Sequence, residues 1–123
     1  MKAFGDETKK HFNVKDAEEF SEKAFVRIRL FETSDMHFNV YCIKPGQQNP
    51  LHRHPNSDEI LYFVEGSGEC VVGDITYTVK TGDVVLVPKN VPHAIRNMDE
   101  SDNMVCVLAQ SPLPCEHLAV CES

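Results

Sequence analysis

With 123 residues and a mass of 13.9 kDa the chain has room for one compact domain, and its 41% hydrophobic and 25% charged residues exclude a disordered, collagenous or membrane-embedded class. A formal net charge of −7, with twelve Lys and Arg scattered along the chain, argues against nucleic acid or an anionic lipid surface as a partner. No apolar run approaches the roughly 20 residues of a spanning helix. The first 25 residues lack an apolar signal core, so the expected compartment is the cytoplasm, where five cysteines, an odd number, read as mostly reduced thiols.

The segment 1–15 is polar, and Asp16-Ala-Glu-Glu-Phe-Ser-Glu then opens on a capping residue with acidic side chains in the first turn, which predicts a short helix there. From Ala24 to Glu32 the pattern changes to a period of two. Ala24, Val26, Ile28 and Leu30 alternate with Phe25, Arg27, Arg29 and Phe31, the signature of a strand with one buried face and the arginines outward. Further strands are expected over Met36–Lys44, Ile60–Glu65, Glu69–Val72, Ile75–Lys80, Val84–Val87, His93–Asn97 and Met104–Gln110. Turn signals separate them. Gly73-Asp74 divides two strand-like runs as a tight hairpin whose residues tolerate positive φ. An antiparallel all-β sandwich or barrel follows, and closure into a barrel is favoured because it buries strand edges within one unit. The expected organisation is an extension with a short helix over 1–23, a barrel over 24–112 and a tail over 113–123.

His52 and His54 are two apart, and at strand periodicity both project from one face towards a single ion. Glu59 follows a turn-like Pro55-Asn-Ser-Asp, where the chain has doubled back and a carboxylate becomes a plausible third ligand. His93, directly after Pro92 on a later strand, closes the set if the sheet is rolled.

The spacing of these residues resembles the cupin superfamily, whose first motif is G(x)5HxH(x)3-4E(x)6G. Gly46, His52, His54, Glu59 and Gly66 match it at every fixed position. The second motif, G(x)5PxG(x)2H(x)3N, is met by Gly82, Pro88, His93 and Asn97, with Asn90 standing where the pattern has Gly. Asn is the residue that best replaces glycine in the left-handed region, so the departure is mild. The resemblance implies a double-stranded β-helix, that is, a jelly-roll barrel, with His52, His54, Glu59 and His93 as ligands of one divalent transition metal. Three imidazoles and a carboxylate suit Mn, Fe, Co, Ni, Cu or Zn. An octahedral ion would keep two positions open for water, oxygen or a chelating small molecule. Alternation places Leu61 and Phe63 beside Glu59, and Ile95 and Asn97 beside His93, as the wall of the site.

The function implied is a metal-dependent oxidoreductase, dioxygenase-like, acting on a small organic molecule; alternatives are a cupin isomerase or decarboxylase, or a non-catalytic binding or sensing protein. Gly66-Ser-Gly68 is a hairpin turn and not a nucleotide loop. Cys115-Glu-His117-Leu-Ala-Val-Cys121 carries three donor types that could form a second zinc site or a disulfide, but lacks a fourth partner and reads as a solvated or edge-packed extension. Of Tyr41 and Cys42, one is expected in the core and the other at the surface. His11 and His37 are expected to face solvent. Phe25 and Phe31 on the arginine-bearing face predict a homodimer.

Overall fold

A computed structural model of the protein describes residues 1–5 and 8–121. Its strands are β1 (Lys2–Ala3), β2 (Val26–Glu32), β3 (His37–Ile43), β4 (Gln48–Arg53), β5 (Asp58–Glu65), β6 (Ser67–Val72), β7 (Ile75–Lys80), β8 (Val84–Val87), β9 (His93–Arg96), β10 (Met104–Ser111) and β11 (Leu118–Ala119), with one helix, α1 (Val14–Ala17). Two sheets form, in the orders β1-β2-β3-β10-β5-β8 and β11-β4-β9-β6-β7, as in a jelly roll. The Gly73-Asp74 hairpin is present between β6 and β7, with Gly73 at φ 60°. Asn90 has φ 67°, the left-handed conformation its place in the motif demands, and is the only non-glycine residue so placed among those described.

Strand β4 escaped the sequence reading. Its Gln, Asn and Pro50 dilute the strand signal, and the ladder to β9 is irregular between Asn49 and His52, around a proline that has no N–H to give. The helix also differs from expectation. It ends at Ala17, and its cap is Asn13, whose side chain accepts from the Lys15 amide, so Asp16 lies inside the turn instead of opening it.

The barrel interior is packed with Tyr41, Ile43, Leu61, Phe63, Ile95, Met104 and Leu108, all buried. A second apolar layer lies on the other face of the β2-β3-β10 sheet, where Val26, Ile28, Val40, Cys42 and Val105 meet Phe4, Phe12, Val14 and Phe20 from the N-terminal segment. This layer corrects the arginine reading. Val26, Ile28 and Leu30 turn to the outer core, so Arg27 and Arg29, in register with Tyr41 and Asn39, lie on the barrel side and not outward. Both cores bury one residue of the Tyr41-Cys42 pair, and Cys42 is at the surface in neither sense. Phe25 and Phe31 are likewise covered from within: Phe25 packs edge-on to Tyr41, and Phe31, shifted to the outer side by an irregularity after Arg29, packs on Phe12 and Phe38. The ground for a second copy on that face is thereby removed.

Gly68 is where the sheets crowd most. A Cβ there would stand 2.2 Å from the Arg96 carbonyl oxygen and 2.3 Å from the Met104 methyl, whereas one at Gly46 would meet nothing within 4 Å. Gly68→Ala is expected to lower unfolding free energy in urea by about 3 kcal/mol, the upper end of overpacking costs. Gly46→Ala, burdened only by its positive φ, should lose about 1 kcal/mol.

Candidate metal centre

The four motif residues are brought together at one end of the barrel from both sheets. His52 near the end of β4 and His93 at the start of β9 are a direct cross-strand pair. His54 lies one residue past β4, and Glu59 sits on β5 opposite Val87 and Gln110. All four are buried. The ligand atoms of His52, His54 and His93 lie within 4.8 Å of one another; Glu59 is not part of that cluster but flanks it, with Oε2 3.3 Å from His93 Nε2 and Oε1 3.6 Å from His54 Nε2.

Each imidazole is oriented by a backbone carbonyl at its other nitrogen. His52 Nδ1 lies 2.7 Å from the Pro50 oxygen and His93 Nδ1 3.0 Å from the Val91 oxygen, both two residues upstream, while His54 Nδ1 lies 2.6 Å from the Glu116 oxygen in the C-terminal segment. A carbonyl can only accept, so each Nδ1 carries a proton, and in the neutral ring Nε2 is the nitrogen left with a lone pair. Burial, with the neighbouring His93 ring, pushes His52 down to about 3, so it is neutral wherever a metal could bind.

The buried Nε2 atoms of His54 and His93 have no hydrogen-bond partner. Burial alone would push the Glu59 carboxyl up, but His93 and Gln110 outweigh it and hold the group below its ordinary range, ionised. His93 Nε2, 3.3 Å from Oε2, favours that ionised form when it carries a proton, and a divalent cation in the same place would serve Glu59 and all three imidazole nitrogens together. The donor set therefore fits a first-row divalent ion.

Residues that the sequence reading missed support this set. Gln110 Nε2 donates to Glu59 Oε1 at 2.6 Å, Asn39 Nδ2 donates to Gln110 Oε1 at 3.3 Å, and Arg29 Nε donates to Asn39 Oδ1 at 3.2 Å. This chain occupies Oε1 and leaves Oε2 towards His93. A buried polar amide within each of two apolar strands, Asn39 in β3 and Gln110 near the end of β10, was the available signal. Asn97 serves the fold instead, donating to the Ile43 and Asp102 carbonyls, whereas Leu61, Phe63 and Ile95 wall the interior as expected. His11 is exposed, but His37 is half-buried beside Glu32.

The C-terminal segment is the edge-packed form of the expected extension and not a disulfide loop: β11 pairs with β4 at the sheet edge, Leu118 opposite Arg53 and Ala119 opposite His52, and Cys115 and Cys121 are free thiols. Glu122 and Ser123 of the expected tail lie outside the described residues. His117 stacks on His52 with ring centroids 4.4 Å apart.

Among known proteins, the family described as Cupin domain matches residues 39–109. A protein with a double-stranded β-helix domain from Klebsiella pneumoniae superposes with a TM-score of 0.84 at 23% identity, covering 92% of this chain and 99% of its own, a likeness of fold. An oxalate decarboxylase of Arthroderma benhamiae is 35% identical over 71 residues, 54% of this chain and 17% of that protein. A 5-nitrosalicylic acid 1,2-dioxygenase of Bradyrhizobium is 35% identical over 66 residues, 54% of this chain and 31% of that protein. The chain spans less than two thirds of the curated relatives it matches.

Titration of the purified protein with Zn²⁺ or Co²⁺ is expected to bind one equivalent and to raise the melting temperature, a stabilisation of about 2.7 kcal/mol when free metal is 100 times the dissociation constant. Gln110→Ala, which frees Glu59, should weaken that binding about 10- to 100-fold. His93→Ala should abolish it.

Proposed function

From a chain that belongs to the cupin family, we propose a metal-dependent oxidoreductase of the dioxygenase kind, acting on a small organic anion. The observation that carries this reading is the convergence of buried imidazole Nε2 atoms on Glu59, those of His54 and His93 without a hydrogen-bond partner. His52, His54, Glu59 and His93 would hold one divalent ion, drawn from Mn, Fe, Co, Ni, Cu or Zn. When bound, such an ion supplies a Lewis acid and, if redox-active, a site for oxygen.

The remaining work falls to the chain. Leu61, Phe63 and Ile95 exclude water from the interior, which strengthens the electrostatics of the site. Gln110 holds Glu59 in its ionised, oriented form. Burial pushes the Tyr41 phenol well above its ordinary value, so it stays protonated and serves as a donor and not a base. Arg27 shares the barrel-side face with Tyr41, half-buried, with its guanidinium 5.8 Å from the Phe25 ring centroid and no carboxylate paired with it among the described residues. A cation so placed favours a carboxylate or phenolate on the substrate.

A second reading, a decarboxylase or isomerase, is favoured by His117, an imidazole that lies against the ligand rings and could carry a proton. The free thiols support a reducing compartment, the cytoplasm. For a homodimer the supporting face is now the outside of β5 and β8, where the exposed Ile60 and Tyr62 stand opposite Leu86 and Val84.

The test is oxygen uptake by Fe²⁺- and Mn²⁺-loaded protein on hydroxyaromatic acids, catechols, thiols and enols. Uptake is expected for an anionic member and should vanish in His52→Ala, while Arg27→Gln should raise KM about tenfold. Carbon dioxide release without oxygen consumption would favour the second reading; tight binding of the panel with no turnover would favour a binding protein.

A further inference from the structure

We propose that the C-terminal strap, residues 113–121, is a working part of the metal centre: its backbone sets the proton position on His54, so strap docking and metal binding stabilise each other. The proposal rests on the reading of His52, His54, Glu59 and His93 as metal ligands.

Two of the three histidines are oriented by their own strands, through carbonyls two residues upstream. His54 is not. Its Nδ1 partner is the Glu116 carbonyl, 62 residues away in sequence, with the Cys115 sulfur 3.4 Å from the same nitrogen. Without the strap that nitrogen would turn to water and either tautomer would serve, so the Nε2 lone pair would be available only part of the time. The strap also lays the His117 ring nearly parallel on His52, 19° between planes, which limits the rotation of a second ligand.

The strap's own hold on the barrel is slight. Apart from its contacts with His52 and His54, it includes the two-residue pairing of β11 with β4, the Val120 amide donating to the Leu51 carbonyl at 3.1 Å, and an anchor at its root where Ser57 Oγ donates to the Pro112 carbonyl at 2.7 Å. Glu116, His117, Leu118 and Ala119 are exposed, and Leu113, Cys115 and Val120 are half-buried with none fully buried, so modest apolar area fastens it. A segment held by few bonds and little burial opens at low cost. Its contact with His54 is then a large share of its docking energy, and linkage is reciprocal: whatever fixes His54 with its lone pair towards an ion also fixes the strap. The strap lies over two of the ligands, so its opening is also a route by which an ion reaches buried imidazoles.

The experiment uses the full chain and Zn²⁺ alone, with affinity read by competition against a chromophoric chelator and strap order by amide hydrogen exchange. Val120→Pro removes the amide that bonds Leu51; Val120→Ala keeps it. The expected result is a loss of Zn²⁺ affinity of about 10- to 100-fold in Val120→Pro, near wild-type affinity in Val120→Ala, and an unchanged melting temperature for both in the metal-free state. His117→Ala, a substitution at an exposed position, is expected to weaken binding by a smaller factor. In the wild type, Zn²⁺ should slow exchange of the Val120 amide while leaving the β3–β10 amides as they were. Val120→Pro and His117→Ala binding Zn²⁺ as the wild type does, or Val120 exchange indifferent to Zn²⁺, would overturn the proposal. A wild-type chain that binds no Zn²⁺, Mn²⁺ or Co²⁺ would instead remove the metal reading on which it stands, a different result from metal bound with the strap indifferent.

Discussion

The site depends on where three protons sit. With each Nδ1 committed to a backbone carbonyl, His52, His54 and His93 turn Nε2 inward, towards the Glu59 carboxylate, and in neutral rings those nitrogens are lone pairs. Such an arrangement is unfavourable in an empty apolar interior and favourable around a cation. The cost is borne by packing elsewhere: an interior of Leu61, Phe63, Ile95, Met104 and Leu108, and a second core beneath the N-terminal segment. Rigid strands on both sides are what keep the ligands from relaxing away from one another.

The double core also explains why β2 carries arginines on its barrel side. A sheet with both faces covered has no fully solvated face to offer, and β2, flanked on its far edge by the short β1, gives long side chains a way out beside the site. Arg29 is used structurally, joined to Asn39 and to Glu32 at 2.6 Å. Arg27 has no such occupation among the described residues, and its guanidinium lies over the Phe25 ring.

Much of this was legible in the sequence. Alternation found eight of the long strands because their side chains really do divide between a core and another surface, and the spacing from Gly46 to Asn97 singled out the four residues that the fold brings together at the candidate site. The failures share one physical cause: period-two patterning says that a strand has two faces, not which faces are buried. It therefore sent Arg27 and Arg29 outward and assigned Phe25 and Phe31 to a partner, when Tyr41 covers Phe25 and the N-terminal Phe12 covers Phe31. Strand β4 was hidden by Pro50 and its amides. The roles of Gln110, Asn39 and Glu116 could not be read, since they arise from pairings 51, 71 and 62 residues apart.

X-ray absorption at the metal edge of Co²⁺- or Zn²⁺-loaded protein tests the central claim most directly. The account requires a coordination sphere of nitrogen and oxygen at about 2.0–2.2 Å, with the outer-shell scattering of three imidazoles. A sphere containing sulfur at about 2.3 Å, drawn from Cys115 or Cys121, or one with fewer than three imidazoles, would contradict it.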